Sequence, residues 1–148
     1  IKAVEGFKGI AHRIEFAGEK GGVTFYDDSK ATNVGAVMRA LETFSRPVIL
    51  LMGGRDKEGD FENLATPVRQ RVKRLVLFGE ARAKIDGLIG GLVKTEQAAT
   101  LGDAMELARH HASAGDVVLL SPGCASFDEF KDYKARGDFF KKWVGNLS

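Results

Sequence analysis

Three short runs in this chain have apolar interiors with no alternation: "PVILLMGG" (47–54), "RLVLFG" (74–79) and "DVVLLSPG" (116–123). A strand with one wet face alternates apolar and polar residues. A strand that is apolar at every position is covered on both faces, as in a parallel sheet. The segments between the runs have helical spacing. Val34, Val37, Met38, Leu41 and Phe44 recur at i, i+3, i+4, i+7 and i+10, and Phe61, Leu64, Ala65, Val68 and Val72 form a second such face. A weaker helix over 80–89 and a weak strand from Val93 to Gln97 follow. Thr100 is placed to cap a helix carrying Leu101, Ala104, Met105 and Ala108 along one side. Strands alternating with helices require crossover connections. At the start, "HRIEFA" (12–17), a turn "GEKGG" (18–22) and "VTFYD" (23–27) read as a hairpin. At the end, Phe139, Phe140, Trp143, Val144 and Leu147 form an apolar helical stripe. The expected fold is α/β: a Rossmann-like, mostly parallel sheet with helices on both faces and an N-terminal antiparallel hairpin.

Length and charge narrow the function classes. A chain of 148 residues fits one domain with a real core. A net charge of +2 is too mild for a nucleic-acid face, which concentrates basic residues. The single cysteine, Cys124, allows no internal disulfide and suits a reducing compartment. No apolar run approaches the roughly 20 residues of a membrane-spanning helix, and no signal peptide is visible. The chain begins with Ile1 rather than Met, so a piece of a longer protein is expected. Residues 1–10 read as an interdomain linker or hinge tail, and 11–148 as the domain.

In open parallel sheets ligands bind outside the carboxyl ends of the strands. Four polar clusters follow the strands: Asp28 to Asn33, Gly53 to Lys57, Phe78 to Glu80, and Ser121 to Ser126. All should share one rim that is small, glycine-rich and carries two lysines and an arginine. Each cluster has a bland reading. Thr32 or Asn33 can cap a helix, Asp28 can be a turn residue, Gly53-Gly54 can be only a tight turn, and Arg55 and Lys57 can be solvated charges. Cys124 reads as a small packed residue. Neither the G-x-x-x-x-G-K-[ST] nor the G-x-G-x-x-G signature is present. His110 and His111 are adjacent on a helix and face apart, so no metal site is expected within the chain. Together, the four clusters favour an anionic ligand. In "SPGCASFDEFKDYKARGDFF" (121–140), Ser126 is placed to cap a helix opening on Asp128 and Glu129, which Arg136-Gly137-Asp138 should break before the last helix.

"DDSKATN" after a hairpin, "GGRDK" after the next strand and "SPGCASFDEFKDYKARGDFF" near the end resemble the C-terminal domain of the Mur ligases. Within that group the combination resembles the MurD family, which joins D-glutamate to UDP-N-acetylmuramoyl-L-alanine. The resemblance runs from about His12 to the end; Ala11 departs from the proline usual before His-Arg. It implies an ADP-forming amide ligase of bacterial cytoplasmic peptidoglycan synthesis, acting as a monomer, with no membrane or nucleic-acid partner. ATP would phosphorylate the acceptor carboxylate to an acyl phosphate, which the amine of D-glutamate attacks. Carried over by residue, Lys30 would be catalytic, near the transferring phosphoryl charge. Thr32, Lys57, Ser126, Phe127 and Tyr133 would hold D-glutamate, and Arg13 and Asp28 would contact ATP. The family's phosphate loop, Mg2+ ligands and UDP-binding region belong to N-terminal and central domains that are not in these residues. The chain alone is therefore expected to be inactive. Two other readings remain open: another amide ligase of the same superfamily, and a free-standing α/β module that binds a nucleotide or acidic metabolite without chemistry.

Overall fold

The computed structural model of the chain describes residues 10–56 and 58–147. Most of the linker expectation (residues 1–9) and the Lys57 expectation therefore lie outside the described residues. The elements follow in the order β1 (Glu15–Lys20), β2 (Val23–Asp27), α1 (Val34–Thr43), β3 (Val48–Gly53), α2 (Ala65–Arg71), β4 (Val72–Phe78), α3 (Arg82–Ile89), β5 (Lys94–Ala98), α4 (Leu101–His111), β6 (Val117–Leu120) and α5 (Tyr133–Gly145). The six strands lie in the order β1-β2-β6-β3-β4-β5. Among these six strands the β1–β2 pair is antiparallel and the other pairs are parallel.

The apolar runs take the central places, β6, β3 and β4, and their side chains divide between two cores. Val48, Leu50 and Met52 of β3 face the layer of α1, α2 and α3, while Ile49 and Leu51 face α4 and α5. All five are fully buried. This two-sided burial is why those strands show no alternation. Deleting one such leucine side chain would cost about 2–5 kcal/mol. The edge strand β5 (burial mixed, with Lys94 and Gln97 exposed) has no such run, and its weak sequence signal reflects that.

Three expectations shift. β1 starts at Glu15, not His12, and continues to Lys20; only Gly21-Gly22 turns. Both glycines have positive φ, 61° and 82°, as a two-residue hairpin needs. A bulge between Phe16 and Gly18 breaks the simple alternation. The second helical face opens with a 3-10 turn, Phe61–Leu64, and Val72 belongs to β4. Finally, Ser126 caps no helix. Its carbonyl accepts from Glu129 N and Phe130 N, closing an isolated turn. α5 begins after Asp132, whose side chain accepts from Ala135 N, and runs unbroken through Arg136, Gly137 and Asp138.

Candidate functional site

The carboxyl ends of β2, β6, β3 and β4 converge on one rim, because the parallel registers align Asp27 with Leu120 and Leu120 with Leu51. The loops that leave these ends are bonded to one another. Asp28 N donates to Leu120 O (2.8 Å), Gly123 N to Ala31 O (2.8 Å), Gly53 N to Pro122 O (3.1 Å) and Ala81 N to Gly54 O (2.9 Å). Arg55 and Ala125 exchange backbone bonds of 2.8 and 3.0 Å. Gly53 approaches β4 so closely that a Cβ there would lie 1.9 Å from Phe78 O, so the glycine pair is a packing requirement as well as a turn. The four clusters thus form one connected surface.

Within "DDSKATN" the residues divide by depth. Asp27 is fully buried and accepts from Ser29 N (3.0 Å), Ser29 Oγ (2.6 Å) and the His12 ring at Nδ1 (2.6 Å). Asp28 is buried too, accepting from Ile14 N (3.0 Å) and Ser121 Oγ (2.8 Å). Burial pushes its carboxyl up to about 6; the two hydrogen bonds and the Arg13 charge oppose that rise, and neighbouring Asp27 adds to it. Both Asp28 oxygens are therefore engaged internally, and the residue expected to meet the nucleotide fixes the loop as well. Arg13 is exposed beside it. Lys30 is half-buried, and its Nζ donates to Tyr133 Oη at 3.2 Å. Asn33, not Thr32, caps α1, accepting from Ala36 N at 2.9 Å. Thr32 is thereby left to line a cleft of about 580 Å³ with Asn33, Gly35, Glu58, Asp60 and Gly123.

The positive charge of the rim differs from expectation. Arg55 is paired with Glu80 at 3.0 Å, and Lys84 with Asp56. The cation that sequence reasoning missed is Arg136, only 1% exposed. Its Nη2 donates to Ser29 O (3.0 Å), while Nε and Nη1 have no hydrogen-bond partner among the described residues. Burial pulls its guanidinium down to about 10, so it stays charged at neutral pH. The signal was spacing: Tyr133 and Arg136 are i and i+3, one side of a helix capped by Asp132.

In the last loop Ser126 is buried and Phe127 is 56% exposed. Asp128 accepts from Glu80 N (3.0 Å), and Glu129 accepts from Leu101 N at the start of α4. Cys124 is buried and its thiol is pushed up to about 12, which makes it inert. Among the described residues there is one group of three potential metal ligands, His12, Glu15 and Asp27. Much of it is already engaged: Glu15 Oε1 accepts from His12 N and from Lys141 Nζ, and Asp27 accepts the three bonds described above. Mg2+ needs accessible oxygen ligands and retains waters, so these residues do not fit it.

The family described as "Mur ligase, glutamate ligase domain" matches residues 12–124. The UDP-N-acetylmuramoylalanine--D-glutamate ligase of Syntrophus aciditrophicus is 67% identical over 144 residues, which is 97% of this chain and 32% of the relative. That of Geotalea daltonii is 51% identical over 147 residues, 99% of this chain and 32% of the relative. The chain thus spans about a third of the length of these curated relatives. Among solved structures, a murein peptide ligase from Psychrobacter arcticus matches with a TM-score of 0.64 at 15% identity, over 99% of this chain and 32% of that one. MurF ligase from Thermotoga maritima, in complex with ADP, matches with a TM-score of 0.63 at 17% identity, over 96% of this chain and 33% of that one. These two likenesses concern the fold. With the family match covering most of the chain and the rim built as described, the chain belongs to the Mur ligase, glutamate ligase domain family.

Proposed function

We propose that this chain is the D-glutamate-binding domain of an ATP-dependent ligase that adds D-glutamate to UDP-N-acetylmuramoyl-L-alanine in the bacterial cytoplasm. One observation carries the reading. The identity of 67% to a ligase of that name extends over 97% of the chain, so it takes in the whole connected rim. D-glutamate is a dianion at its carboxylates, and the rim offers what such a ligand needs. Lys30 supplies charge, Thr32 and Ser126 supply hydroxyls, and backbone amides supply direction. Glu58 and Asp60 beside the Thr32 cleft disfavour an anion, so a compensating cation is required there. Lys57, which precedes Glu58 in the sequence, is the residue proposed for that role.

In the reaction, ATP supplies the phosphoryl group that activates the acceptor carboxylate. The amine of D-glutamate then forms the amide bond, with ADP and phosphate released. Lys30 would steady the transferring charge, Arg13 and Asp28 would border the nucleotide, and Phe127 and Tyr133 would wall the amino-acid pocket. Holding the amine against the acyl carbon is worth several kcal/mol of barrier. The His12, Glu15 and Asp27 group does not suit Mg2+; the metal would be held by the other domains, and no step is derived through it. The N-terminal and central domains would be the partners, the assembled enzyme a monomer, and the isolated chain inactive. No helix among the described residues is long and apolar enough to cross a membrane.

The test is an amide-forming assay with the gene that encodes this chain. D-glutamate should be the accepted amino acid. Acceptance of L-glutamate or meso-diaminopimelate in its place would contradict the reading and favour another ligase of the superfamily. The purified 148-residue chain should hydrolyse no ATP with both substrates present. Turnover there would overturn the expected inactivity and leave the substrate assignment standing.

A further inference from the structure

The ammonium of Lys30 is held by a closed circuit of contacts. Lys30 N donates to His12 O at 3.0 Å. At the other end of the residue, Nζ donates to Tyr133 Oη at 3.2 Å and lies 4.9 Å from the centroid of the same ring. The Tyr133 ring meets the His12 ring edge-on, with centroids 6.1 Å apart and planes at 84°. His12 is itself fixed on buried Asp27. One residue, His12, therefore anchors the lysine backbone directly and the lysine tip through Tyr133. Tyr133 occupies the first turn of α5, held by the Asp132 cap, so its ring is placed by a rigid element.

A free lysine side chain carries rotamer entropy that an anionic ligand must overcome. An ammonium has three N–H donors and Tyr133 Oη takes one, which leaves two for an incoming anion. The hydroxyl aims the ammonium without neutralising its charge, as a carboxylate partner would. We infer that Tyr133 is a positioning residue: its hydroxyl, more than its ring, preorganises Lys30 to receive an anionic oxygen, phosphoryl or carboxylate. This goes beyond a pocket-wall role. Its functional arm rests on the ligase reading, and its structural arm does not.

The test compares the chain with Tyr133→Phe, which keeps the ring, and Tyr133→Leu, which removes it. The NMR shift of the Lys30 ε-methylene protons is read with no substrate present. In the unaltered chain the ring should shift them upfield and hold them inequivalent. Tyr133→Phe should move them toward the positions of the exposed lysines and Tyr133→Leu should complete the move, while distant amide shifts stay in place. Lys30 signals in Tyr133→Phe that match the unaltered chain would overturn the inference, whatever the enzyme makes. In the whole enzyme, Tyr133→Phe should lower kcat about three- to tenfold with KM for D-glutamate held. A rise in that KM with kcat unchanged would confine Tyr133 to its place in the pocket wall and overturn the positioning role. An unaltered enzyme with no ligase activity would sink the functional reading alone, and the lysine signals would still decide the hydroxyl's role.

Discussion

The two ends of the sheet are built from similar residue types and differ in how those residues are satisfied. At the amino end, a cleft of about 460 Å³ is lined by Phe44, Arg46, Pro47, Arg71 and Lys73. Every cation there has a close internal acceptor. Arg46 donates to Gly115 O, Thr24 Oγ1 and Asp116 O, Arg71 to Phe44 O, and Lys73 to Asp116 Oδ2 at 2.6 Å. At the carboxyl end, among the described residues, Arg136 is buried with two unpartnered nitrogens, and Lys30 meets the neutral hydroxyl and ring of Tyr133. A positive cleft is thus not in itself a ligand site. The amino end consumes its charge in closing the β2–β6–β3 edge, while the carboxyl end withholds part of its charge from internal pairing. Burying cations in this way costs stability, and functional sites are where proteins retain such costs.

The largest expected effect lies where α5 presses on the rim. A Cβ added at Gly137 would stand 2.2 Å from His12 Nδ1 and 2.6 Å from Asp27 Oδ2. Both atoms belong to a buried pair with no room to retreat, so Gly137→Ala should destabilise by about 3 kcal/mol or more in denaturant unfolding. Gly145, in the same helix, meets nothing within 4 Å. Gly145→Ala should be neutral or stabilising by no more than about 1 kcal/mol. Equal losses at the two glycines would remove the claim that α5 is a clamp on the rim.

How much of this was legible follows from the same contrast. The apolar strands and the one-sided helices could be read because burial on two faces or one leaves a periodic trace. The rim loops could be collected because parallel connectivity puts strand ends together. Arg136 could not be found that way: a fully buried arginine has no hydropathy signature, and Arg-Gly-Asp looks like a break until Gly137 is seen to be demanded by His12. The β1 register was lost to the Gly18 bulge. Of the candidate residues, Lys30 and Tyr133 meet directly and Thr32 lines the cleft, whereas Asp28 proved to be tied inward on both oxygens. That inward bonding depends on Ile14 and Ser121, distant in sequence, and no local pattern announces it.

The next effect depends on pH. The Asp28 carboxyl is raised from 3.8 to about 6 in the folded state. The folded chain therefore holds a proton that the unfolded chain releases. This contribution is fully present below about pH 4 and is lost as pH rises through 6. Asp28→Asn keeps the shape without the buried charge, so it should be more stable than the unaltered chain at pH 7 by on the order of 2 kcal/mol, with the difference closing toward pH 4. A pH-independent difference between the two would show that Asp28 is ionised throughout. The smallest effect belongs to the satisfied end. Lys73→Met should cost about 1 kcal/mol, reduced by high salt, because Lys73 is partly exposed and Asp116 keeps its bond from Ser113 N. A loss as large as that at Gly137 would mean that the amino end is no ordinary charged surface.

The most direct measurement is an NMR titration of the chain with D-glutamate, with L-glutamate as the control. The account predicts amide shifts confined to the carboxyl end, at Lys30, Thr32, Gly123 and Ser126, larger for D-glutamate than for its mirror image. Shifts that gather instead at Arg46, Arg71 and Lys73, or that fail to distinguish the two enantiomers, would contradict it.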